Sequence, residues 1–345
     1  MSRPQVVAID ACPLCGATAC APLLAARGGL GVVRCDECGL VHATGQYAAE
    51  FLSEDYYSGR AAPAVATSGV RPGAARKRRN LALYDRLSGG KIFRPSPGAR
   101  ALDIGCNAGF LLDALRERGY ATEGIERSRA GEAAQSAGHV VHALDIEAHE
   151  LGLPRYALIT MTHVLEHLQQ PVAGLTWIRR HLAPGGLAVI EVPNWGDAAR
   201  PLWGRRYRPL ELGDHVSFFE RATLTRALQQ AGLGVVRLWS APQASTLVFP
   251  SLLTALDLGL ALRSRLRGQT GSGEGGGDLS GSAANEGGDV AGVRFAGGSS
   301  GGQVRRTLVP MLATALDSLD PLLERVFGAD CGWAANLVAL VHARA

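Results

Sequence analysis

The stretch ALDIGCNAGF, residues 101–110, decides the fold. Its first four residues form an apolar run typical of a buried strand, and Gly105 and Gly109 mark a tight turn that opens a helix. A glycine-rich turn between a strand and a helix is a common ligand site in α/β proteins, because the first backbone amides of the helix have no partner within it. The residues around the turn indicate which ligand it holds.

Two phosphate-binding patterns are absent from this turn. A dinucleotide fingerprint requires G-x-G-x-x-G, whereas only two glycines are present here, and the lysine and hydroxyl residue of a P-loop are missing. Asp103, two residues before the first glycine, would repel a phosphate but suits a cationic ligand. The turn therefore predicts a ligand without phosphates.

Two further carboxylates follow the next two predicted strands. Glu126 ends ATEGIE, where a carboxylate can accept both hydroxyls of a ribose. Asp145 follows HVVHAL, where a carboxylate can accept a hydrogen bond from an adenine amino group. S-adenosylmethionine has an amino acid end, a ribose and an adenine but no phosphate, and it fits all three carboxylates.

Short apolar runs alternate with helical segments on both sides of the turn. The predicted strands are ALDI (101–104), ATEGIE (121–126), HVVHAL (139–144), YALITM (156–161), LAVIEV (187–192), LGVVRLWS (233–240) and AANLVALVHA (334–343). The predicted helices are RPGAARKRRNLALYDRL (71–87), FLLDALRERG (110–119), SRAGEAAQSAG (128–138), PVAGLTWIRRHL (171–182) and RATLTRALQQAG (221–232). This alternation predicts a parallel, doubly wound sheet, and the last strand is expected to re-enter it.

The region from about residue 99 to 240 resembles a class I S-adenosylmethionine-dependent methyltransferase. It is most similar to the group that includes the ubiquinone-biosynthesis O-methyltransferases, and the resembling blocks are LDIGCNAGFLLDAL, GIERS, YALITMTHVLEHL, HLAPGGLAVIEVPN and HVSFFERATL. The family usually has glycine where Asn107 stands, but asparagine tolerates a left-handed backbone, so we expect the turn to be kept. The expected cofactor-binding residues are Asp103, Gly105, Cys106, Asn107, Gly109, Glu126, Asp145, Thr162 and His163. Cys106 is interpreted as a small buried spacer in the turn rather than a nucleophile, because no activating base adjoins it in the sequence.

Two cysteine pairs near the N-terminus predict a structural zinc site. CPLCG (12–16) and CDECG (35–39) are separated by nineteen residues between Cys15 and Cys35, which is a spacing typical of four-cysteine zinc sites. The expected ligands Cys12, Cys15, Cys35 and Cys38 would complete a tetrahedral shell with no open position. A redox dithiol pair is the alternative, and Cys20 is interpreted as a spare thiol.

The candidate catalytic residues are histidines in HVLEH (163–167) and GDHVSFFE (213–220). H-x-x-E-H is also an inverted zinc-protease motif, but that motif must lie on a helix and here it follows a strand. In the resembling O-methyltransferases, E-x-x-E-H at this place resembles a divalent-metal site, and the histidine in the first position leaves metal binding open here. One interpretation is that Glu166 and His167 cap the following segment while His163 lines the adenine pocket. The other is that His167 or His215 removes a proton from the acceptor, since histidine titrates near neutral pH.

The chain is expected to divide into four parts. These are a zinc-ribbon-like module (1–50), a linker and helical cap (51–98), the S-adenosylmethionine-binding domain (99–240), and C-terminal additions with a final strand (241–345). The additions contain a Gly/Ser-rich insertion (268–303), expected to be disordered, between two amphipathic segments (246–266 and 304–327). Those segments are interpreted as core-packing helices, a substrate lid or a peripheral membrane contact.

Composition narrows the classes of function. A chain of 345 residues with 47% hydrophobic and 19% charged residues is typical of a globular protein, and a net charge of +4 is too small to indicate nucleic-acid binding. No apolar window reaches the roughly 18 residues of a membrane span, and the N-terminus lacks a signal-peptide pattern, so we expect a cytoplasmic enzyme. The expected acceptor is a small molecule or a lipid- or sugar-linked biosynthetic intermediate, with O-methylation favoured over C- or N-methylation. The alternatives are a non-catalytic zinc-knuckle binding protein and a nucleic-acid methyltransferase, although VPNW (192–195) only faintly resembles the N-P-P-Y motif of the latter.

Overall fold

The computed structural model describes the chain in segments separated by short gaps and one long gap. The described residues are 4–52, 74–92, 94–147, 152–197, 200–204, 207, 210–241 and 336–344. The amphipathic segments 246–266 and 304–327 and the Gly/Ser-rich insertion 268–303 lie outside them.

A seven-stranded sheet forms the centre of the described structure. Its strands are β6 (Arg100–Ile104), β7 (Ala121–Ile125), β8 (Val140–His142), β9 (Tyr156–Thr162), β10 (Leu182–Pro193), β12 (Leu233–Ala241) and β13 (Asn336–Ala343). Their order across the sheet is β12-β13-β10-β9-β6-β7-β8. The chain moves outward from β6 through β7 to β8 and then returns to β9 on the other side of β6, so the β6/β9 boundary is the topological switch point where α/β sheets bind ligands.

The described helices are α1 (Ala49–Phe51), α2 (Ala74–Leu87), α3 (Phe110–Arg116), α4 (Ala130–Ser136), α5 (Pro171–His181), α6 (Arg200–Trp203) and α7 (Arg221–Gln230), and Leu165–His167 form one 3₁₀ turn. The helices α3, α4, α5 and α7 lie between strands of the central sheet, as the sequence alternation predicts. Pro171 occupies the first turn of α5, where its missing N–H is not needed. The α/β fold class is confirmed.

The central sheet is mostly parallel, as predicted, and departs from the parallel arrangement at β13. The β8–β7–β6–β9–β10 pairings are parallel, but β13 lies antiparallel between β10 and β12. The parallel prediction depends on a helix between consecutive strands, and that alternation ends at β12 in the sequence. The expectation that the C-terminal stretch re-enters the sheet is confirmed.

The N-terminal segment forms two small sheets beside the large one. β1 (Val6–Ala8) pairs with β5 (Gly45–Tyr47). The larger of the two, called the N-terminal sheet below, has the order β11-β4-β3-β2 and consists of β2 (Cys20–Arg27), β3 (Leu30–Cys35), β4 (Val41–Ala43) and β11 (Ser217–Phe218). β11 comes from the sequence between β10 and α7, so this sheet joins the N-terminal segment to the middle of the chain.

One apolar core extends through the N-terminal segment and the central sheet. Cys12, Leu14, Cys35 and Leu40 are buried in the same cluster as residues of the central sheet such as Met161. The N-terminal segment therefore packs on the central sheet as an integral layer. Among the described residues, no helix is long and apolar enough to cross a membrane.

Candidate cofactor and catalytic site

The glycine turn lies at the carboxyl end of β6, at the switch point. Gly105 has a φ of +73°, and a Cβ built there would lie 2.3 Å from Cγ2 of Val164. Asn107 also has a positive φ, of 48°, and its Oδ1 accepts a hydrogen bond from the backbone N–H of Ala108 at 2.6 Å. Asparagine thus keeps the turn, as the sequence predicts. Gly109 begins α3 in the left-handed conformation.

Asp103 lies at the buried base of this turn. Its side chain is 2% exposed, and Oδ1 accepts a hydrogen bond from the hydroxyl of Thr160 on β9 at 2.7 Å. Burial raises the pKa of Asp103 to about 6, and the charge of Lys77 and the Thr160 hydroxyl only partly oppose this effect. A cation bound at the turn would stabilise the ionised form.

Glu126 is held in place by backbone amides. Its Oε2 accepts from the N–H of Asn107 at 2.9 Å and its Oε1 from the N–H of Ser128 at 2.8 Å. The carboxylate is thus fixed beside the glycine turn, and each oxygen keeps a free lone-pair direction. This is the arrangement expected of a carboxylate that accepts two adjacent hydroxyls.

Asp145 follows β8 and is turned toward Arg127. Its Oδ2 lies 2.9 Å from Nη1 of Arg127, and its Oδ1 accepts from the N–H of Glu147 at 2.9 Å. Cys106 points away from the turn into the core, where its Sγ would lie 2.5 Å from a Cβ built at Gly124. Burial raises the pKa of the Cys106 thiol, which agrees with its interpretation as a buried spacer.

Thr162 and His163 lie at the carboxyl end of β9, next to β6. The Thr162 hydroxyl accepts a hydrogen bond from Nζ of Lys77 at 3.2 Å. Lys77 comes from α2, so this helix brings a positive charge to the carboxyl ends of the strands. His163 has a φ of 57°, a strained backbone for a non-glycine residue, and its N–H donates to the carbonyl of Glu191 at 2.9 Å.

The His163 imidazole lies between two buried glutamates. Its Nδ1 is 3.3 Å from Oε1 of Glu166 and its Nε2 is 3.6 Å from Oε1 of Glu191. Glu191 is also hydrogen-bonded by the Tyr84 hydroxyl and by Nδ2 of Asn336. Burial opposes a charge on His163, but the two carboxylates outweigh it and raise the pKa of His163 to about 9.

Two further histidines, His167 and His215, lie on the other side of Glu166. The rings of His167 and His215 contact edge to face, with centroids 4.7 Å apart. Nδ1 of His167 lies 2.9 Å from Oδ1 of Asp214, which is 1% exposed. The backbone N–H of Val216 donates to the carbonyl of Glu166 at 2.8 Å. Val164, which packs against Gly105, leads directly into the 3₁₀ turn that carries His167.

The two histidines have opposite protonation preferences. Burial opposes a charge on His167, but the Asp214 carboxylate outweighs it and raises the pKa of His167 to about 9. Burial and the neighbouring charge of His167 lower the pKa of His215. At neutral pH the pair therefore consists of one imidazolium and one neutral imidazole, which can accept a proton.

HVLEH does not form the helix of an inverted zinc protease. His163 ends a strand, and Leu165–His167 form a single 3₁₀ turn. The N–H of Gln170, the N-cap residue of α5, donates to the carboxylate of Glu147, which lies outside this segment. Ligand atoms of Glu166, His167 and His215 lie within 4.8 Å of one another, a geometry that also suits a divalent cation.

The two cysteine pairs come together in the N-terminal segment. Their four sulfur atoms lie within 4.8 Å of one another, with Cys12 to Cys38 and Cys15 to Cys35 both at 3.5 Å. These separations are far longer than a disulfide bond. Cys20 lies beside the cluster, and its Sγ is 3.4 Å from Nε2 of His42.

Several residues of the site carry sequence signals that were too weak to single them out. Glu191 is a carboxylate inside an otherwise apolar strand, LAVIEV, and Asp214 directly precedes His215. Lys77 is one of several basic residues in α2. Gln46, whose side-chain amide donates to the carbonyls of His167 and Asp214, carries no sequence signal, because these contacts are made only by the folded chain.

Comparisons with known proteins agree with this geometry. Residues 73–238 match the family described as "Methyltransferase domain". A ubiquinone biosynthesis O-methyltransferase of Alkalilimnicola ehrlichii is 30% identical over 109 residues, which are 28% of this chain and 42% of that protein. The enzyme of the same name from Aeromonas salmonicida is 29% identical over 150 residues, 39% of this chain and 63% of that protein. The chain thus spans only 42% and 63% of the length of these two relatives.

Solved structures overlap with the chain only loosely. A SAM-dependent methyltransferase from Archaeoglobus fulgidus has a TM-score of 0.43 and 15% identity over 76% of this chain and 93% of that one. The family of residues 73–238 is instead indicated by the family match, the order of the motifs and the position of the carboxylates. On these grounds residues 73–238 belong to the class I S-adenosylmethionine-dependent methyltransferases.

Proposed function

We propose that the chain transfers a methyl group from S-adenosylmethionine to a small-molecule acceptor, with an oxygen atom favoured as the nucleophile. The observation that carries the proposal is the convergence, at one edge of the sheet, of a carboxylate-lined glycine turn with a neutral, buried histidine. The turn suits a cationic donor, and the histidine suits an acceptor that has to lose a proton.

The cofactor fits the residues around the turn. Glu126 would accept hydrogen bonds from the ribose hydroxyls, Asp145 would accept one from the adenine amino group, and Asp103 would stabilise the ammonium group of the amino acid end. Gly105 and Gly109 let the backbone approach closely. The bound cofactor supplies an electrophilic methyl group, and the protein holds donor and acceptor in line.

His215 is the proposed general base. It is 6% exposed, and the imidazolium of His167 beside it keeps it neutral at a pH where an ordinary histidine begins to protonate. Asp214 holds His167 in its charged form. The base would take the acceptor proton as the methyl group arrives, which suits a hydroxyl more than a tertiary amine.

The relatives support an oxygen acceptor, since both are named ubiquinone biosynthesis O-methyltransferases. We extend this to a small or lipid- or sugar-linked biosynthetic intermediate, handled by a cytoplasmic enzyme. The proposed division of the chain remains a zinc module (1–50), a cap (51–98), a methyltransferase domain (99–240) and C-terminal additions (241–345) that would contact the acceptor or a membrane surface.

We also propose that the four clustered cysteines hold one structural zinc ion. Ligands 2.3 Å from a tetrahedral zinc lie about 3.8 Å from one another, close to the 3.5 Å separations of the two sulfur pairs. Burial raises the pKa of Cys12 and raises that of Cys38 to about 11, whereas backbone N–H groups outweigh burial and lower that of Cys35 to about 7. A bound cation would therefore be needed to keep Cys12 and Cys38 ionised.

The test is a screen for donor-dependent methyl transfer. Purified protein and methyl-labelled S-adenosylmethionine are incubated with phenols, catechols, sugar nucleotides, amines and oligonucleotides, and mass spectrometry locates the transferred methyl group. We expect methylated oxygen in at least one non-nucleic-acid class. Cofactor binding by calorimetry without transfer to any class would favour the non-catalytic binding protein, and transfer to oligonucleotides alone would favour the nucleic-acid enzyme.

A further inference from the structure

The N-terminal sheet lies directly against the segment that carries the proposed base. Ser217 and Phe218 of β11 pair antiparallel with β4, and the N–H of Ala43 donates to the carbonyl of Val216 at 2.9 Å. His215 is therefore one residue away from a backbone hydrogen bond to this sheet. The same sheet includes β3, which ends at Cys35 of the cysteine cluster.

Strand β5 also contacts the loop that precedes β11. The N–H of Tyr47 donates to the carbonyl of Gly213 at 2.8 Å. Gly213 has a φ of +91°, and a Cβ built there would lie 2.4 Å from the Tyr47 ring. The loop can thus follow this path only with glycine at the contact, and Asp214 and His215 come next.

One side chain of β5 connects both histidine segments. Gln46 is 6% exposed, and its Nε2 donates to the carbonyl of His167 at 3.1 Å and to the carbonyl of Asp214 at 3.2 Å. Its Oε1 accepts from Nε2 of Gln169 at 3.0 Å. Both ends of the Gln46 amide are used, and His167 and Asp214 are the two partners of the ion pair that keeps His215 neutral.

We propose that Gln46 is a positioning residue for the acid–base site, and that the N-terminal segment, which carries the cysteine cluster, acts on methyl transfer through it. Gln46 fixes the backbone of His167 relative to that of Asp214, and so fixes their side-chain contact. This assigns the cysteine-bearing segment a role inside the site rather than at a distant docking surface. The role of His215 as base belongs to the proposed function, whereas the coupling through Gln46 is tested separately from it.

The test replaces Gln46 by methionine, which has a similar shape but no donor. Thr44→Val is the matched control, because the Thr44 hydroxyl binds only the backbone of Gly31 and Gly29 within the N-terminal segment. The titration of the histidine rings is followed by NMR in the full chain without added acceptor. The titratable groups that face His167 are Glu166, Asp214, Glu211 and His215, and all of them are kept in both variants.

We expect the pKa of His167 to fall by about one unit or more in Gln46→Met and to stay unchanged in Thr44→Val, with zinc content equal in both. Gln46→Glu, which keeps the acceptor but places a carboxylate against two carbonyls, should not restore the wild-type titration. A wild-type His167 titration in Gln46→Met would overturn the proposal. So would an equal shift in the control, because it would show a general loosening of the segment.

Turnover on an acceptor found by the screen separates the two proposals. If Gln46 acts through the histidines, Gln46→Met lowers kcat in the wild type but has no further effect in the His215→Ala background, and the cofactor Kd stays constant. Additive losses in the double variant would overturn the positioning role. If His215→Ala keeps its turnover while the His167 titration still moves in Gln46→Met, then the proposed base is wrong and the coupling stands.

Discussion

At the scale of single residues, the site depends on how burial and neighbouring charges change identical side chains. His167 and His215 touch, yet the pKa of one rises to about 9 and that of the other falls. Asp103 and Glu191 are both buried carboxylates, yet burial raises the pKa of the first to about 6, whereas His163 and Tyr84 outweigh burial and lower that of the second to about 2. The sequence indicated Asp103, His167 and His215 but not Glu191, and only the three-dimensional contacts determine which of these groups carries a charge.

The raised pKa of Asp103 predicts pH-dependent cofactor binding. A cationic ligand favours the ionised carboxylate, so affinity should be constant above about pH 7 and fall as the pH drops through 6. The affinity should fall by up to about tenfold per pH unit, which is the limit for one linked proton. Calorimetry of S-adenosylmethionine binding between pH 5 and 8 measures it.

The control for this prediction is Asp103→Asn, which keeps the shape of the side chain. This variant should bind the cofactor more weakly than the wild type, with a loss of about 1.5–3 kcal/mol of binding free energy for one charge-assisted hydrogen bond. Its affinity should not depend on pH in this range. An equal pH dependence in both proteins would show that another group is responsible. Glu126→Ala should also weaken binding but leave the pH dependence intact.

The histidine pair predicts distinct effects of two substitutions on turnover. His215→Ala should lower kcat by about 10²–10⁴-fold while cofactor affinity is unchanged, because it removes the base. His167→Gln removes the positive charge that lowers the pKa of His215, so the acid limb of the kcat–pH profile should move to higher pH. The profile is measured on the acceptor found by the screen, with and without a chelator.

Two outcomes would contradict this assignment. If neither variant loses more than a few-fold in kcat, the enzyme works by positioning alone. If chelation abolishes the wild-type activity and added Mg²⁺ or Mn²⁺ restores it, Glu166, His167 and His215 hold a cation instead.

At the scale of elements, most of the central strands and helices could be predicted, because their apolar periodicity is regular. YALITM and LAVIEV became β9 and β10, and even the weak HVVHAL contains the short strand β8. The antiparallel direction of β13 could not be predicted, since strand direction depends on which end of the sheet the chain enters and not on the pattern within the strand. The short β11 could not be predicted either, because its two residues are defined only by pairing with β4.

The glycine turn predicts a sharp contrast between two glycine substitutions. Gly105→Ala places a methyl group 2.3 Å from Cγ2 of Val164 in a left-handed turn, whereas Gly98→Ala meets nothing within 4 Å at a similar φ of +75°. Both should lose about 1 kcal/mol of stability from backbone strain, but only Gly105→Ala should abolish cofactor binding. Calorimetric binding and thermal melts of both variants measure this.

A compensating substitution makes the test specific. Val164→Ala removes the atom that the new methyl group meets, so Gly105→Ala/Val164→Ala should recover part of the lost affinity. Full cofactor affinity in Gly105→Ala would mean that the turn does not approach the ligand.

At the scale of the whole molecule, the N-terminal segment and the central sheet behave as one body. The cysteine spacing predicted the cluster of four sulfur atoms, since ligand spacing is a local property. It did not predict that Leu14 and Leu40 share a core with Met161, nor that β4 and β5 hold the loop of His215, because these contacts join residues more than 100 positions apart. The long-range packing therefore decides what the cysteine cluster does.

This shared core predicts that metal binding stabilises the entire described fold. Freshly purified protein should contain one zinc ion per chain, and Cys35→Ser, which removes one ligand, should lower the melting temperature of a single cooperative transition, because metal that binds only the folded state adds to its stability. Cys20→Ser is the matched control: Cys20 lies beside the cluster but outside the set of four, so its loss should leave the zinc content unchanged. Elemental analysis and differential scanning calorimetry measure both effects. A low-temperature transition confined to the N-terminal segment, with the main transition unmoved, would show that the segment unfolds independently and that its metal does not support the catalytic histidines.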